Sequence, residues 1–534
     1  MKKDFDVIVL TAANEAQAAG YRAQLAWRRE RGLIPPATRT LVLADPGGRR
    51  VGSFTATLNV LAHLVGPDGR VPKTLVCHSG GDSRRTPAYA AQGKAFTPMP
   101  CRDAGGNPLA LFDLIARNAA ELPIEAGVLV ASGDVVLTFG DGDLAAMDFS
   151  GAGVTGVGYR DTPAQGSRHG VYVAGPNGRV DDFLQKPDEA AARRAGAIGD
   201  DGLVAVDTGL VLLDPATCRL LAEIARTGVV DDAAAGRCPQ MDLYEEFLMA
   251  IVPSLAEEAY LARFSRRAGF DDAHAARLRA IRARLRATPF RVCLAKECDF
   301  FHIGSSRELL SGFTGDSLTA RLYGFAAGRQ RGPAIDGDGA FVFNSDLGSL
   351  TADGPALVEG CRFHGAIRLA GENIVTGLPG ELAGALGDDA TLSLPPGIGL
   401  VVLPVGETGW AAVAYGVADD FKAPFATAPT PGARPCLFLN RPVGEWLAAR
   451  ELLPNDLWRG DEAAGMWTAR LWRVGALASV VAEAVAFVGG DVAPKTAPAP
   501  SFRASTRFSL SALVPQVSHE RLLRGQPRAT ASSE

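Results

Sequence analysis

Between Phe5 and Ala131, short apolar runs alternate with helix-like stretches, and this order admits few folds. Phe5 to Leu10 reads as a strand, and Asn14 to Arg31 as a helix ended by Gly32. Thr40 to Leu43 reads as a second strand. Leu75 to His78 and Gly127 to Ala131 are further apolar runs, each leading into a glycine-bearing turn, with a helical stretch from Leu109 to Glu121 between them. Strand, glycine turn, helix, strand is the βαβ grammar of a parallel sheet covered on both faces. Ligands of such sheets sit beyond the carboxyl ends of the strands, where these turns fall.

Composition narrows the function classes. The 54 Lys+Arg and 59 Asp+Glu leave a formal charge of −5 and no basic stripe, so the sequence predicts no nucleic-acid partner. Residues 1–10 run from Lys2, Lys3, Asp4 and Asp6 straight into an apolar strand, unlike a secretory signal, and the expected location is cytoplasmic with no membrane partner. The most apolar late window, Val474 to Gly490, contains Glu483 and reads as a buried helix. Eight cysteines form no CxxC pair and no Cys/His zinc spacing, so reduced, packed thiols are expected.

Residues 188–286 are Ala/Arg/Glu-rich and mostly helical, interrupted by the strand-like Val204 to Leu213. After about residue 335 come apolar triplets centred on Val342, Val358 and Val375, close to the repeat of a left-handed β-helix, with a small β-sandwich as the alternative. A Pro/Ala-rich stretch, Ala423 to Pro435, leads to a partly helical extension, and a second one spans Ala493 to Pro500. The expected division is a nucleotide-binding α/β domain over 1–330, a β-helix-like domain over 335–420 and an extension over 430–534.

The richest segment is His78-Ser79-Gly80-Gly81-Asp82-Ser83-Arg84-Arg85-Thr86-Pro87. A strand ends in a Gly-Gly turn, so the backbone N–H groups of Gly80 to Ser83 can approach an anion without Cβ obstruction. Arg84 and Arg85 follow at once, and Lys94 comes after a further loop; such a set suits a triphosphate whose charge moves onto departing pyrophosphate. No Walker loop and no GxGxxG fingerprint is present. Asp134, in Ser132-Gly133-Asp134, follows a buried strand and can hold Mg2+ through oxygen ligands. A hairpin from Gly170 to Leu184 delivers Lys186 ahead of Pro187, Asp207-Thr208-Gly209 enters another strand, and Phe300 to Glu308 forms a late motif.

The order of these elements resembles the sugar-1-phosphate nucleotidyltransferases and, within them, the fucose-1-phosphate guanylyltransferase (GDP-L-fucose pyrophosphorylase) family. The segment His78 to Pro87 with Gly93-Lys94-Ala95-Phe96 carries the likeness, as do Asp242-Leu-Tyr-Glu-Glu-Phe-Leu, Phe301-His302-Ile303-Gly304-Ser305-Ser306 and Trp467-Thr468-Ala469-Arg470-Leu471. It implies a Rossmann-like catalytic domain with a mixed, mostly parallel sheet, a left-handed β-helix-like domain, and a reaction of GTP with L-fucose 1-phosphate. It further implies Arg84, Lys94 and Asp134 as catalytic residues, and Gly52, Ser53, Gly80, Gly81, Ser83 and Arg85 around the nucleotide. Lys186, Asp207, Gly209 and His302 fall on the sugar phosphate, and Asp134 on Mg2+.

The chain departs from the family pattern at Phe54-Thr55, where two glycines are usual, at Gln185 in place of Glu, and at His302 in place of a metal-binding Asp. Magnesium avoids imidazole, so His302 is expected to hydrogen-bond substrate or orient a water, or else to be a buried core histidine. Asp299 is a weaker second carboxylate, because positions 299 and 302 of an extended segment face opposite sides. Two alternatives stay open: a guanylyltransferase for another sugar 1-phosphate, and a catalytically idle sugar-nucleotide sensor. Oligomeric state is not set by the sequence.

Overall fold

The computed structural model describes residues 4–524 apart from 141, 268, 388, 427–434, 460–462 and 494–501. Most of both Pro/Ala-rich stretches therefore lies outside the described residues. The chain folds as two compact units, one of residues 1–80 and 112–301 and the other of residues 81–111 and 302–534.

The first unit is built on a nine-stranded sheet. Its strands are β1 (Val7–Ala12), β2 (Arg39–Ala44), β3 (Thr74–His78), β4 (Val128–Ser132), β5 (Val154–Asp161), β6 (Gly170–Ala174), β7 (Val180–Gln185), β8 (Val204–Leu213) and β9 (Phe290–Ala295). The pairs β1–β2, β1–β3, β3–β4 and β5–β9 run parallel. The pairs β6–β7, β4–β8, β5–β8 and β6–β8 run antiparallel. The sheet is mixed, as expected, but not mostly parallel. The ten-residue β8 runs against three neighbours, so parallel order is kept mainly in the β2-β1-β3-β4 half. Every residue of β1 is buried, as a strand covered on both faces requires.

Helix α1 (Glu15–Glu30) starts where Asn14 accepts the Gln17 N–H, and Gly32 turns the chain away with φ 69°. Its Arg28 is buried and pairs at 2.9 Å with buried Asp113 of α3 (Leu111–Glu121). Helix α2 (Ser53–Leu64) follows Gly52, whose φ is 86°. Phe54, the residue that departs from the family's bare turn, is wholly buried and stacks on Phe247 at 5.3 Å. The aromatic ring therefore fills the core of this unit.

The second unit contains two five-stranded sheets. The triplets found in the sequence are strands β10 (Ala340–Phe343), β12 (Ala356–Glu359) and β14 (Asn373–Thr376), stacked parallel with Val342 opposite Val358 and Val358 opposite Val375. Between them run β11 (Asp346–Ala352) and β13 (Arg362–Leu369), paired parallel in the other sheet. These two are not legible in the sequence, because their apolar residues alternate with exposed ones and form no continuous run.

The apolar window at 474–490 is the helix Leu477–Phe487, with five buried apolar residues. Its Glu483 is paired to Arg473 at 2.5 Å and Arg507 at 2.7 Å. All eight cysteines are free thiols. Among the described residues no helix is long and apolar enough to cross a membrane.

Candidate active site

In the first unit, β3 and β4 end side by side, with His78 opposite Ser132. The Gly133 N–H donates to the His78 carbonyl at 2.9 Å, and a Cβ on Gly133 would stand 2.2 Å from Ser79 Oγ. Only glycine lets these two strand ends close up. Asp134 follows directly, its Oδ1 accepting the Ser132 hydroxyl at 2.6 Å. A Cβ on Gly80 would make only ordinary contact, 3.5 Å from the Ala13 nitrogen, so the fold does not demand glycine there. Close approach of a ligand to the backbone does give a reason for it.

His78 has both ring nitrogens engaged, with Thr57 Oγ1 3.0 Å from Nε2 and Thr11 Oγ1 3.2 Å from Nδ1. The Thr57 hydroxyl already donates to the Ser53 carbonyl at 2.8 Å, so Nε2 must carry the proton. Nδ1 then accepts from Thr11, whose oxygen takes the Ser79 N–H at 3.2 Å. Removal from water lowers His78 to about 4, in keeping with a neutral ring that ties the glycine turn to β1 and α2.

Asp207-Thr208-Gly209 forms a bulge in β8, where the register against β5 shifts and Gly209 takes φ 80°. Asp207 Oδ1 accepts from the Tyr172 hydroxyl at 2.6 Å and from the Gly209 N–H at 3.1 Å. Burial pushes this carboxyl up to about 6. The Gly209 carbonyl accepts from the Tyr244 hydroxyl at 3.0 Å. Burial raises the Tyr244 phenol well above its ordinary value, and the charges of Asp207, Asp242 and Asp134 push the same way. Three carboxylates from separate segments thus act electrostatically on one phenol.

Gly52 and Ser53 serve the segment around Asp242. A Cβ on Gly52 would strike the Met241 carbonyl oxygen at 2.2 Å. The Ser53 hydroxyl donates to Asp242 Oδ2 at 2.9 Å and accepts the Leu243 N–H at 2.8 Å. Lys186 is exposed, with φ 47°, and its N–H donates to the His169 carbonyl at 2.9 Å, closing the β6–β7 hairpin.

The second unit carries Gly81, Ser83, Arg84, Arg85, Lys94 and His302. A Cβ on Gly81 would meet nothing within 4 Å, while Ser83 is buried with φ 54° and its carbonyl accepts the Thr86 N–H at 2.8 Å. Arg84 Nη2 lies 2.7 Å from Asp82 Oδ2. The Arg85 carbonyl accepts the Ser306 N–H at 2.9 Å, joining this segment to the late motif. Lys94 opens a single helical turn after Gly93, which has φ 76°. His302 is not a buried core residue: its side chain is 33% exposed and its Nδ1 lies 3.4 Å from Glu308 Oε2.

The Thr11–His78–Thr57 chain is not legible in the sequence, because isolated threonines carry no motif. Nor is a role for Tyr172, since one aromatic residue in a strand reads as core. Asp242 and Tyr244 did stand in a segment that carried the family likeness.

The fucose pyrophosphorylase domain model matches residues 71–475. The chain belongs to the fucose pyrophosphorylase family. The family match includes every candidate residue except Gly52 and Ser53. The chain is similar to the fucose-1-phosphate guanylyltransferase of Mus musculus, 27% identical over 352 residues covering 59% of this chain and 57% of that protein. Its similarity to the Homo sapiens fucose-1-phosphate guanylyltransferase is 27% over 362 residues, covering 60% and 56%. A bifunctional fucokinase/GDP-fucose pyrophosphorylase of Arabidopsis thaliana is 31% identical over 295 residues, covering 47% and 27%. The matched region thus spans little more than half the length of the mouse and human relatives. A solved structure titled mannose-1-phosphate geranyltransferase, from Thermus thermophilus, aligns with 78% of this chain and 95% of its own at 17% identity and a TM-score of 0.25.

Proposed function

We propose that this protein transfers a guanylyl group from GTP to L-fucose 1-phosphate, giving GDP-L-fucose and pyrophosphate. A phosphate oxygen of the sugar phosphate bonds to the α-phosphorus of GTP as the bond from that phosphorus to the pyrophosphate oxygen breaks, so electrons and atoms balance without a covalent enzyme intermediate. Catalysis is positioning plus charge stabilisation. Gly80, Gly81 and Ser83 offer backbone N–H groups to the phosphates, Arg84, Arg85 and Lys94 carry the charge opposite the departing pyrophosphate, and Lys186 binds the sugar phosphate with Asp207, Gly209 and His302. Gly52 and Ser53 support the nucleotide side by holding Asp242.

The residues fit magnesium. Asp134 is a hard oxygen donor, and magnesium commonly takes one or two protein carboxylates with phosphate and water completing the shell. Among the described residues no group of three or more His, Cys, Asp or Glu could hold a metal ion. Held at Asp134, magnesium would supply positive charge to the substrate phosphate oxygens. The Ser132 hydroxyl orients that carboxylate, and the paired ends of β3 and β4 fix where it stands.

The observation that carries this reading is a family match covering both the bare Gly80-Gly81 turn and the Asp134 carboxylate. The stacked parallel strands of the second unit we read as coils of a left-handed β-helix. The reaction is tested by mass spectrometry of the nucleotide product from GTP and L-fucose 1-phosphate, using wild type and Lys186→Ala. GDP-fucose from the wild type, with a raised KM for the sugar phosphate alone in the variant, supports it. Absence of GDP-fucose from the wild type overturns it.

A further inference from the structure

A cavity of about 340 Å³ lies within the second unit, lined by none of the residues assigned above to the reaction. That volume is at the small end of the range for metabolite sites. Leu378, Val402 and Trp410 supply apolar surface. Three buried polar side chains also line it: Gln92 is 7% exposed, Glu359 5% and Thr376 2%. The Thr376 hydroxyl has no hydrogen-bond partner among the described residues. Leaving such a group buried and unsatisfied costs about 1–3 kcal/mol, which a ligand hydroxyl would recover. Burial pushes Glu359 up to about 8, so near neutral pH it holds its proton and can donate to a ligand oxygen.

The charged lining is cationic in balance, with Arg362, Arg521 and Arg524 against the exposed Glu381, and one of the arginines is held in place. Arg521 donates to the Gly409 carbonyl at 2.9 Å, and its guanidinium carbon lies 4.4 Å from the Trp410 ring centroid. Carbonyls and a ring fix this guanidinium while leaving its full charge for an anion. Arg362 lines the same cavity.

We propose that this cavity binds a small hydroxyl-rich anion of the hexose phosphate class, and that its occupancy orders the segment around Lys94. The sugar hydroxyls meet Gln92, Glu359 and Thr376, and the phosphate meets Arg362 and Arg521. Tyr89 and Gln92 line the cavity and lie in sequence between Arg85 and Lys94. The Tyr89 carbonyl accepts the Gly93 N–H at 2.9 Å, and the Tyr89 hydroxyl donates to Glu359 at 3.4 Å. A ligand that fixes Tyr89 therefore restrains the turn before Lys94. The binding claim is independent of the proposed reaction, whereas its kinetic consequence rests on that reading.

Calorimetric titration of the whole chain with D-glucose 6-phosphate, D-glucose and inorganic phosphate, without nucleotide, tests the site. Glucose 6-phosphate should bind at one equivalent, and the sugar or phosphate alone roughly tenfold more weakly or worse. Thr376→Val and Arg362→Ala should each weaken it by roughly tenfold, and Lys186→Ala should leave it unchanged. Thr376→Val removes a hydroxyl that has no partner among the described residues and should not lower Tm, so lost binding cannot be ascribed to unfolding; circular dichroism checks this. No binding at millimolar glucose 6-phosphate overturns the proposal, and so does binding that survives both cavity variants or is lost in Lys186→Ala. If the guanylyl transfer is confirmed, glucose 6-phosphate should change the KM for GTP in wild type but not in Thr376→Val. An unchanged KM overturns the coupling to Lys94 and leaves the binding result standing.

Discussion

The guanidinium carbon of Arg84 lies 5.6 Å from the ring centroid of Trp467, with the same guanidinium bonded to Asp82. A residue far along the chain thus packs against an arginine proposed to meet the triphosphate. A guanidinium over an indole contributes about 0.5–2 kcal/mol and restricts a side chain that would otherwise be mobile. Trp467→Leu should lower kcat/KM for GTP by up to about tenfold, with Trp467→Phe recovering most of the loss. Steady-state kinetics at saturating sugar phosphate measure it. A normal kcat/KM in Trp467→Leu would remove Trp467 from any positioning role.

Lys94→Ala should lower kcat by roughly 10²-fold, the scale of losing one preorganised charge on the leaving group, with little change in KM for the sugar phosphate. Lys186→Ala should do the reverse, raising KM for the sugar phosphate and sparing the KM for GTP. Initial-rate measurements varying each substrate separate the two. An unchanged kcat would remove Lys94 from the reaction, and equal rises in KM for both substrates in Lys186→Ala would mean a folding role for that lysine.

The stability of the first unit should depend on pH through Asp207. Burial raises its carboxyl from 3.8 to about 6, so the folded protein holds this proton more tightly than the unfolded chain does. Its contribution is fully present below 3.8 and is lost as pH rises through about 6, up to about 3 kcal/mol. Asp207→Asn keeps acceptors for Tyr172 and Gly209 and should flatten the fall of Tm across that window. An identical Tm profile in the variant would show that Asp207 does not titrate in this way.

The buried pair of Arg28 and Asp113 makes a second stability prediction. Asp113→Ala should cost about 3–5 kcal/mol, because it strands a guanidinium away from water. Urea unfolding of the variant measures this, and a loss under about 1 kcal/mol, the scale of an exposed pair, would contradict it.

What the sequence made legible was local. Glycine turns after apolar runs marked the ends of β3 and β4, and Asn14 with Gly32 marked both ends of α1, because these signals depend on neighbouring residues. The polarity of β8 was hidden, since the apolar residues either side of Asp207-Thr208-Gly209 read the same whichever way the strand runs. The fate of Phe54 was hidden for a related reason: its stacking partner, Phe247, lies far along the chain. At the candidate site, Asp134 and the Gly80-Gly81 turn were readable from position after a strand. The neutral tautomer of His78 was not, because it depends on Thr11 and Thr57, which the fold alone brings to the ring.

The most direct test of the account is pyrophosphate release over a matrix of four nucleoside triphosphates and several sugar 1-phosphates, with magnesium and with EDTA. The account predicts the highest kcat/KM for GTP with L-fucose 1-phosphate, abolished by EDTA and by Asp134→Asn. No pyrophosphate from any pair, or a clear preference for another nucleotide or sugar that persists in EDTA, would contradict it.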